Sequence, residues 1–232
     1  MIYIKIININ SYYMLKILFL VFLGASLAND LFIIGDHKIC EMGNVLMGIE
    51  FTTFTYSYHD YVAIMTSEPV KYGNYTFKII GQGVEVSLME TGEELNNFLH
   101  VQLKAAKDGT NVLLSFGPYM VDRFNEVFVF IGKLADKYPK LNFYVLSIIG
   151  VDENLYTKHN NNEIKEFNTR LENRIEIAEF RNLKYKSILN KGDPTQILVN
   201  GEPVDILNYA SESYLFFKAG YEKIFRAMVE WL

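Results

Sequence analysis

Short apolar runs alternate with amphipathic stretches along this chain, and that rhythm sets the reading of its fold. Residues 31–34, 75–80, 111–116, 141–149 and 183–188 are rich in Leu, Ile, Val, Phe and Tyr, and several are closed by glycine or proline: Gly35 after the first, Gly81-Gln82-Gly83 after the second, Gly117-Pro118 after the third. Runs of this length and make-up predict strands buried on both faces. Between them apolar residues recur at helical spacing. Thr91 to Glu94 has capping-box spacing and precedes Leu95, Phe98, Leu99, Leu103 and Ala106, a helix that Asp108-Gly109 ends. Phe124, Val127, Phe128, Ile131, Ala135 and Tyr138 lie on one face of the next helix, which Pro139 closes. A closing helix is expected over 213–232, carrying Tyr214, Phe217, Tyr221, Ile224, Phe225 and Met228, and residues 38–50 can form another. Residues 51–78, rich in Thr, Tyr, Val and Ile with turn residues at His59-Asp60 and Pro69, read as strands or a hairpin. Strands alternating with helices predict an α/β domain whose parallel sheet is covered on both faces.

The first run matters most for chemistry. A buried parallel strand that ends in a glycine turn delivers its C-terminal end to a helix, and open α/β sheets build their sites there. Gly35-Asp36 is such a turn, so position 37 is expected to face a crevice.

The stretch LFIIGDHKICEMG, residues 31–43, resembles the first block of the SGNH (GDSL-type) hydrolases, especially the small clostridial-type members, in which a strand ends in Gly-Asp-Ser and the serine is the nucleophile. The serine position holds His37. A second resemblance begins at Ser147: SIIGVDEN is followed by Asn162, Ile164, Phe167, Asn168 and Leu171, similar to the pattern in which a strand leads through a loop to a helix. Ile164, Phe167 and Leu171 are expected to pack inward. The resemblance implies a three-layer α/β/α sandwich, flavodoxin-like, with a parallel sheet of about five strands in the order 2-1-3-4-5 and residues 31–34 at its centre.

The same resemblance implies where a site would lie. A glycine after the second strand, Gly83 in preference to Gly81, would lend an oxyanion donor; Tyr119 stands in Gly117-Pro118-Tyr119 where the family has asparagine; Asn208 stands three residues after Asp205 where the family has its histidine base. Acyl transfer needs a nucleophile, a base, a carboxylate to orient the base and donors for the oxyanion. An amide such as Asn208 accepts no proton at neutral pH, and removing nucleophile or base from a triad costs roughly 10⁶ in turnover. Two expectations follow. One is a pseudoenzyme that binds a ligand, a glycan or acylated small molecule, or a partner through the former active-site crevice. The other is a divergent esterase or acyl hydrolase, acting on ester or acetyl groups, that recruits different groups, with His37 as base and a nearby Ser or Tyr as nucleophile; Ser115 and Ser211 lie near the strand ends.

Composition narrows the rest. At 232 residues, 50% hydrophobic and 21% charged, the chain can bury one full core, which fits a single domain over 29–232 preceded by a short segment. Residues 14–28 carry Lys16, an apolar run over 17–23, and Ser26 and Ala28 at the minus-three and minus-one positions. That is a secretory signal with cleavage after Ala28 and Met14 as a candidate start; its run is too short for a stable membrane anchor, so a secreted product is expected. Net charge is −5 without a Lys/Arg cluster, which gives no footprint for nucleic acid. The single cysteine, Cys40, builds neither a disulfide nor a thiolate site and reads as a small buried residue. Asp36 and His37 supply two candidate ligands where a metal needs three or four, and His59, His100 and His159 show no ligand spacing, so no metal or cofactor is expected. Asp205 reads as a helix cap or turn residue, and Asn74-Tyr75-Thr76 is a glycosylation sequon.

Overall fold

The computed structural model describes residues 29–36, 38–39, 42–43, 51–56, 61–66, 70–72, 75–82, 93–210 and 216–232. In chain order the strands of the first part are β1 (Asn29–Gly35), β2 (Phe51–Tyr56), β3 (Tyr61–Thr66), β4 (Val70–Tyr72) and β5 (Tyr75–Gln82). Helix α1 (Glu93–Ala105), β6 (Asn111–Ser115), a 3-10 helix (Pro118–Arg123), α2 (Phe124–Lys137) and β7 (Asn142–Leu146) follow. The last part contains α3 (Asn161–Ala178), β8 (Leu183–Lys186), β9 (Leu189–Asn190), β10 (Asp193–Val199), β11 (Glu202–Asp205), a second 3-10 helix (Ile206–Tyr209) and α4 (Lys218–Val229).

The strand order β5-β1-β6-β7-β8 forms a parallel core, the expected 2-1-3-4-5, with β1 central. Ile33 of β1 lies opposite Ile79 on one side and Leu113 on the other. Beyond β5 the sheet turns antiparallel: β3 pairs with its C-terminal half, β4 with its N-terminal half, and β2 with β3. The expected hairpin over 51–78 is thus present as these three edge strands.

Side-chain alternation along each core strand sorts the core into two layers. Phe32, Ile34, Val112, Leu114, Phe143 and Val145 face α1, α2 and α3, whose Leu99, Leu103, Val127, Ile131, Ile164, Phe167 and Leu171 meet them. Leu31, Ile33, Leu113 and Leu146 face the other way, onto Ile39, Met42 and the α4 residues Tyr221, Ile224, Phe225 and Met228. A strand buried on both faces needs apolar residues at every position, which is why these runs do not alternate in sequence.

Several details differ from the expectation. The fourth strand stops at Leu146 instead of Ile149, because Ile148 is held by a side chain and not by a neighbouring strand: the Asn168 amide accepts from Ile148 N at 2.8 Å and donates to Ile148 O at 2.9 Å. Asn161 repeats the device on Val151, at 2.9 and 3.0 Å. The closing helix begins at Lys218, not residue 213; Phe216 forms a β-bridge with Ala210, and Phe217, expected within the helix, stands at its N-cap position without a side-chain bond and is 62% exposed. The small antiparallel sheet β9-β10-β11 was not expected. Its two turns are Lys191-Gly192 and Asn200-Gly201, all four residues at φ between 51° and 76°. Two consecutive positive φ values are what a type I′ hairpin turn requires.

Residues 1–28, Cys40, His59, Pro69, Asn74, the Thr91-Gly92 cap, Ser211 and Tyr214 lie outside the described residues; of the helix expected over 38–50, Lys38, Ile39, Met42 and Gly43 are described and helical. Among the described residues no helix is long and apolar enough to cross a membrane.

The asparagine clamps generate a stability prediction. Asn168→Ala strands a buried N–H and a buried C=O of Ile148 together, and each costs about 1–3 kcal/mol. Denaturant unfolding should show a loss of about 2–4 kcal/mol, whereas an unchanged midpoint would refute the clamp.

Candidate functional site

The C-terminal ends of β1, β6 and β7 form the edge where a site is expected, and close backbone approach dominates its construction. At Gly35 a Cβ would stand 2.8 Å from the Ser115 carbonyl oxygen and 2.5 Å from Ile39 Cγ1, so the parallel neighbour β6 can come this near only to glycine. A Cβ at Gly117 would strike the Asp36 carboxylate and the Tyr119 ring. Gly117 itself is in ordinary extended backbone, φ −88° and ψ 169°, so space and not conformation selects glycine there.

Asp36 is 5% exposed and turns the chain from strand to helix: its Oδ1 accepts from Lys38 N at 3.1 Å and its carbonyl accepts from Ile39 N at 3.1 Å. Tyr119, half-buried on the first 3-10 helix, brings its ring to Gly117 beside this carboxylate and packs on the core that includes Phe116 and Met120. The structure therefore brings Tyr119 and Asp36 together. His37 and Gly83 lie outside the described residues.

Lys38 is the residue that sequence reasoning missed. Its side chain is buried, 3% exposed, with the ammonium 5.8 Å from the centroid of the Phe216 ring. Burial drives its pKa below the usual lysine range, and the Asp36 carboxylate opposes part of that shift. The only signal in sequence is position: Lys38 follows the strand-end turn directly and neighbours Ile39 and Met42, both inward. Phe216 links this lysine to the C-terminal block through its bridge to Ala210, while Phe217 N donates to Tyr209 O at 2.8 Å.

Asp205 and Asn208 are both exposed. Asp205 caps the second 3-10 helix, its Oδ1 accepting from Leu207 N at 3.1 Å, and Asn208 sits within that helix. Ser115 ends β6 opposite Gly35. His159 is buried between two carboxylates: Nε2 is 3.3 Å from Asp122 Oδ2 and Nδ1 is 3.7 Å from Glu163 Oε2. Glu163 also completes a capping box with Asn160 at the start of α3. This cluster ties the first 3-10 helix to α3, and both ring nitrogens face protein carboxylates instead of a crevice. His100 lies apart from it, its Nδ1 2.6 Å from the Tyr138 hydroxyl; burial and then Lys137 lower its pKa. Among the described residues no three His, Cys, Asp or Glu side chains come together as a metal site.

The buried pair at positions 36 and 38 makes two linked predictions. Lys38→Met alone leaves the Asp36 carboxylate without its cation and should cost about 3–5 kcal/mol, while Asp36→Asn with Lys38→Met should restore most of that loss or exceed wild-type stability by about 1–4 kcal/mol. The lysine's folded pKa lies below its unfolded one, so between them the unfolded chain binds more protons and wild-type stability rises with pH up to the unfolded value. The advantage of the double variant should therefore be largest at neutral pH and shrink towards alkaline pH. A gap that widens with pH, measured by chemical denaturation, would contradict the burial of a charged lysine.

No family model matches the chain, and no curated protein matches its sequence. Solved structures are similar in fold. A Streptococcus pneumonia protein provisionally described as a platelet activating factor shares 17% identity over 88% of this chain and 83% of its own, with a TM-score of 0.50. A provisionally described acylhydrolase from Bacteroides fragilis NCTC 9343 has 12% identity, coverage of 89% and 90%, and a TM-score of 0.49. A GDSL-like lipase from Bacteroides thetaiotaomicron VPI-5482 has 12% identity, coverage of 91% and 96%, and a TM-score of 0.48. At such identities the likeness concerns architecture and not chemistry. The likeness to the Streptococcus structure and the parallel core in the order 2-1-3-4-5 show an α/β fold with helices packed on both faces of the sheet.

Proposed function

We propose that this chain is a secreted protein that uses the hydrolase-type scaffold without ester hydrolysis, and binds a glycan, an acylated small molecule or a partner through the crevice at the strand ends. The observation that carries the reading is the packing at Gly117, where the Tyr119 ring occupies the space beside the Asp36 carboxylate. Tyrosine at the family's oxyanion-donor position fills volume that a tetrahedral intermediate would need. Histidine at the nucleophile position and asparagine at the base position support the same reading. Asp205 adds to it, since its carboxylate bonds a backbone N–H of its own turn and the Asn208 amide beside it accepts no proton at neutral pH.

A second reading, a divergent esterase, gains support from Lys38. A buried lysine with a lowered pKa is a candidate base, and Ser115 ends the strand that pairs with Gly35.

One assay separates the two. Purified mature protein is expected to release no product from short-chain acyl esters above the buffer blank. Turnover abolished by His37→Ala or Ser115→Ala, with folding intact by circular dichroism, would establish the esterase instead. Binding without turnover should appear as a change in Tyr and Trp fluorescence on titration with acylated sugars, weakened by Tyr119→Ala.

Secretion has its own test. The n-region, apolar run and Ser26-Leu27-Ala28 pattern support export, and mass spectrometry of the secreted protein is expected to find Asn29 at the N terminus. Cytosolic protein retaining residues 1–28 would contradict this.

A further inference from the structure

Helices α2 and α3 leave a groove of about 1180 Å³ on the outer side of their layer, remote in sequence from the strand-end turns. Phe124 and Phe128 line it from α2. Val129 and Ile177, 51% and 73% exposed, are large apolar side chains on its walls. The guanidinium of Arg170 lies 3.8 Å from the Phe124 ring centroid, and that of Arg174 lies 5.1 Å from the Phe128 centroid.

Stacking fixes the plane of a guanidinium while leaving the N–H donors around its edge available. Among the described residues neither arginine has a carboxylate within ion-pair distance. The remaining charges on the groove are Lys165 and Glu166, so it carries a surplus of two positive charges on a chain whose net charge is −5. The two arginines are four residues apart, one helical turn, which sets their Cβ atoms about 5–6 Å apart.

We propose that this groove docks an acidic amphipathic helix of a partner protein. A groove between two packed helices accepts a third whose apolar ridge lies along it. Leucines of the incoming helix would cover Val129, Ile177 and the half-buried Phe128 ring, and carboxylates one turn apart would meet Arg170 and Arg174 through charge-assisted hydrogen bonds. Nucleic acid fits poorly, because the groove mixes its three cations with the Glu166 carboxylate and apolar side chains and the chain as a whole is acidic. A lipid surface fits poorly as well, since a concave groove offers a flat bilayer little contact.

The test uses the full chain and two labelled synthetic peptides of about 18 residues, each with leucine on one face, flanked by glutamates one turn apart in the first and by lysines in the second. Fluorescence anisotropy should show micromolar binding of the glutamate peptide and none of the lysine peptide. Arg170→Gln with Arg174→Gln should weaken the glutamate peptide at least about tenfold, with the thermal melt confirming that the variant folds. Arg170→Glu with Arg174→Glu should reverse the preference and bind the lysine peptide, an outcome that a misfolded variant cannot give. Failure of the glutamate peptide to bind overturns the proposal. So does equal binding by the arginine variants, or binding of the wild type to phosphatidylglycerol vesicles in preference to the peptide.

Discussion

Where β1 leaves the sheet, the chain buries a carboxylate and an ammonium within three residues of each other, and the layers around them are shaped to make that tolerable. A buried charge is costly unless it is paired and hydrogen-bonded. Asp36 meets the condition with the Lys38 backbone N–H and the Lys38 ammonium nearby, yet desolvation still outweighs attraction for the lysine. Both neighbours of this pair are glycines in tight contact: Gly35 lets β6 approach, and Gly117 gives room to the Asp36 carboxylate. A methyl group at either place would push the strand-end turn out of the sheet, so the edge depends on this one arrangement.

A second constraint follows from what lies beyond the strand ends. Once β7 ends at Leu146, the segment towards α3 meets neighbouring strands only at single points, Ser147 N donating to Lys186 O and Gly150 N to Pro194 O, and its other buried N–H and C=O groups need partners. Asn161 and Asn168 supply them from α3, each amide bonding both backbone groups of one residue. Seven residues separate the two asparagines, two helical turns, so one helix face serves both clamps. The helix pattern that resembles the hydrolase family thus contains inward apolar residues for the core and an inward asparagine for the loop.

These two features explain which parts of the architecture were legible in sequence. The central strands β1 and β6 were visible because burial on both faces forces continuous apolar runs, and the strand order came through resemblance in place of periodicity. The β9-β10-β11 sheet was hidden because β9 and β11 are only two and four residues long and β10 is only partly buried, giving no sustained pattern. Its Asn200-Gly201 turn is nevertheless a standard hairpin signal that was available, whereas Lys191 at positive φ is unusual and gave none. Lys38 was illegible for a different reason. Charged side chains after a turn are normally solvated, and nothing local reveals that Phe216, far along the chain, closes over this one. The buried His159 cluster likewise depends on Asp122 meeting a loop that follows the next strand.

Fold and chemistry separate at this same edge. A parallel α/β scaffold supplies strand ends that can converge on a substrate, but convergence is useful for acyl transfer only if the groups there can attack, take a proton and hold an oxyanion. In this chain the positions that resemble those roles carry side chains suited to other work. Tyr119 packs an aromatic ring against Gly117, Asp205 organises its own turn, and Asn208 is an exposed amide. Each of these helps its own segment fold without reference to a substrate. At this edge the packing of Tyr119 and the turn bond of Asp205 are structural contributions that need no substrate to account for them.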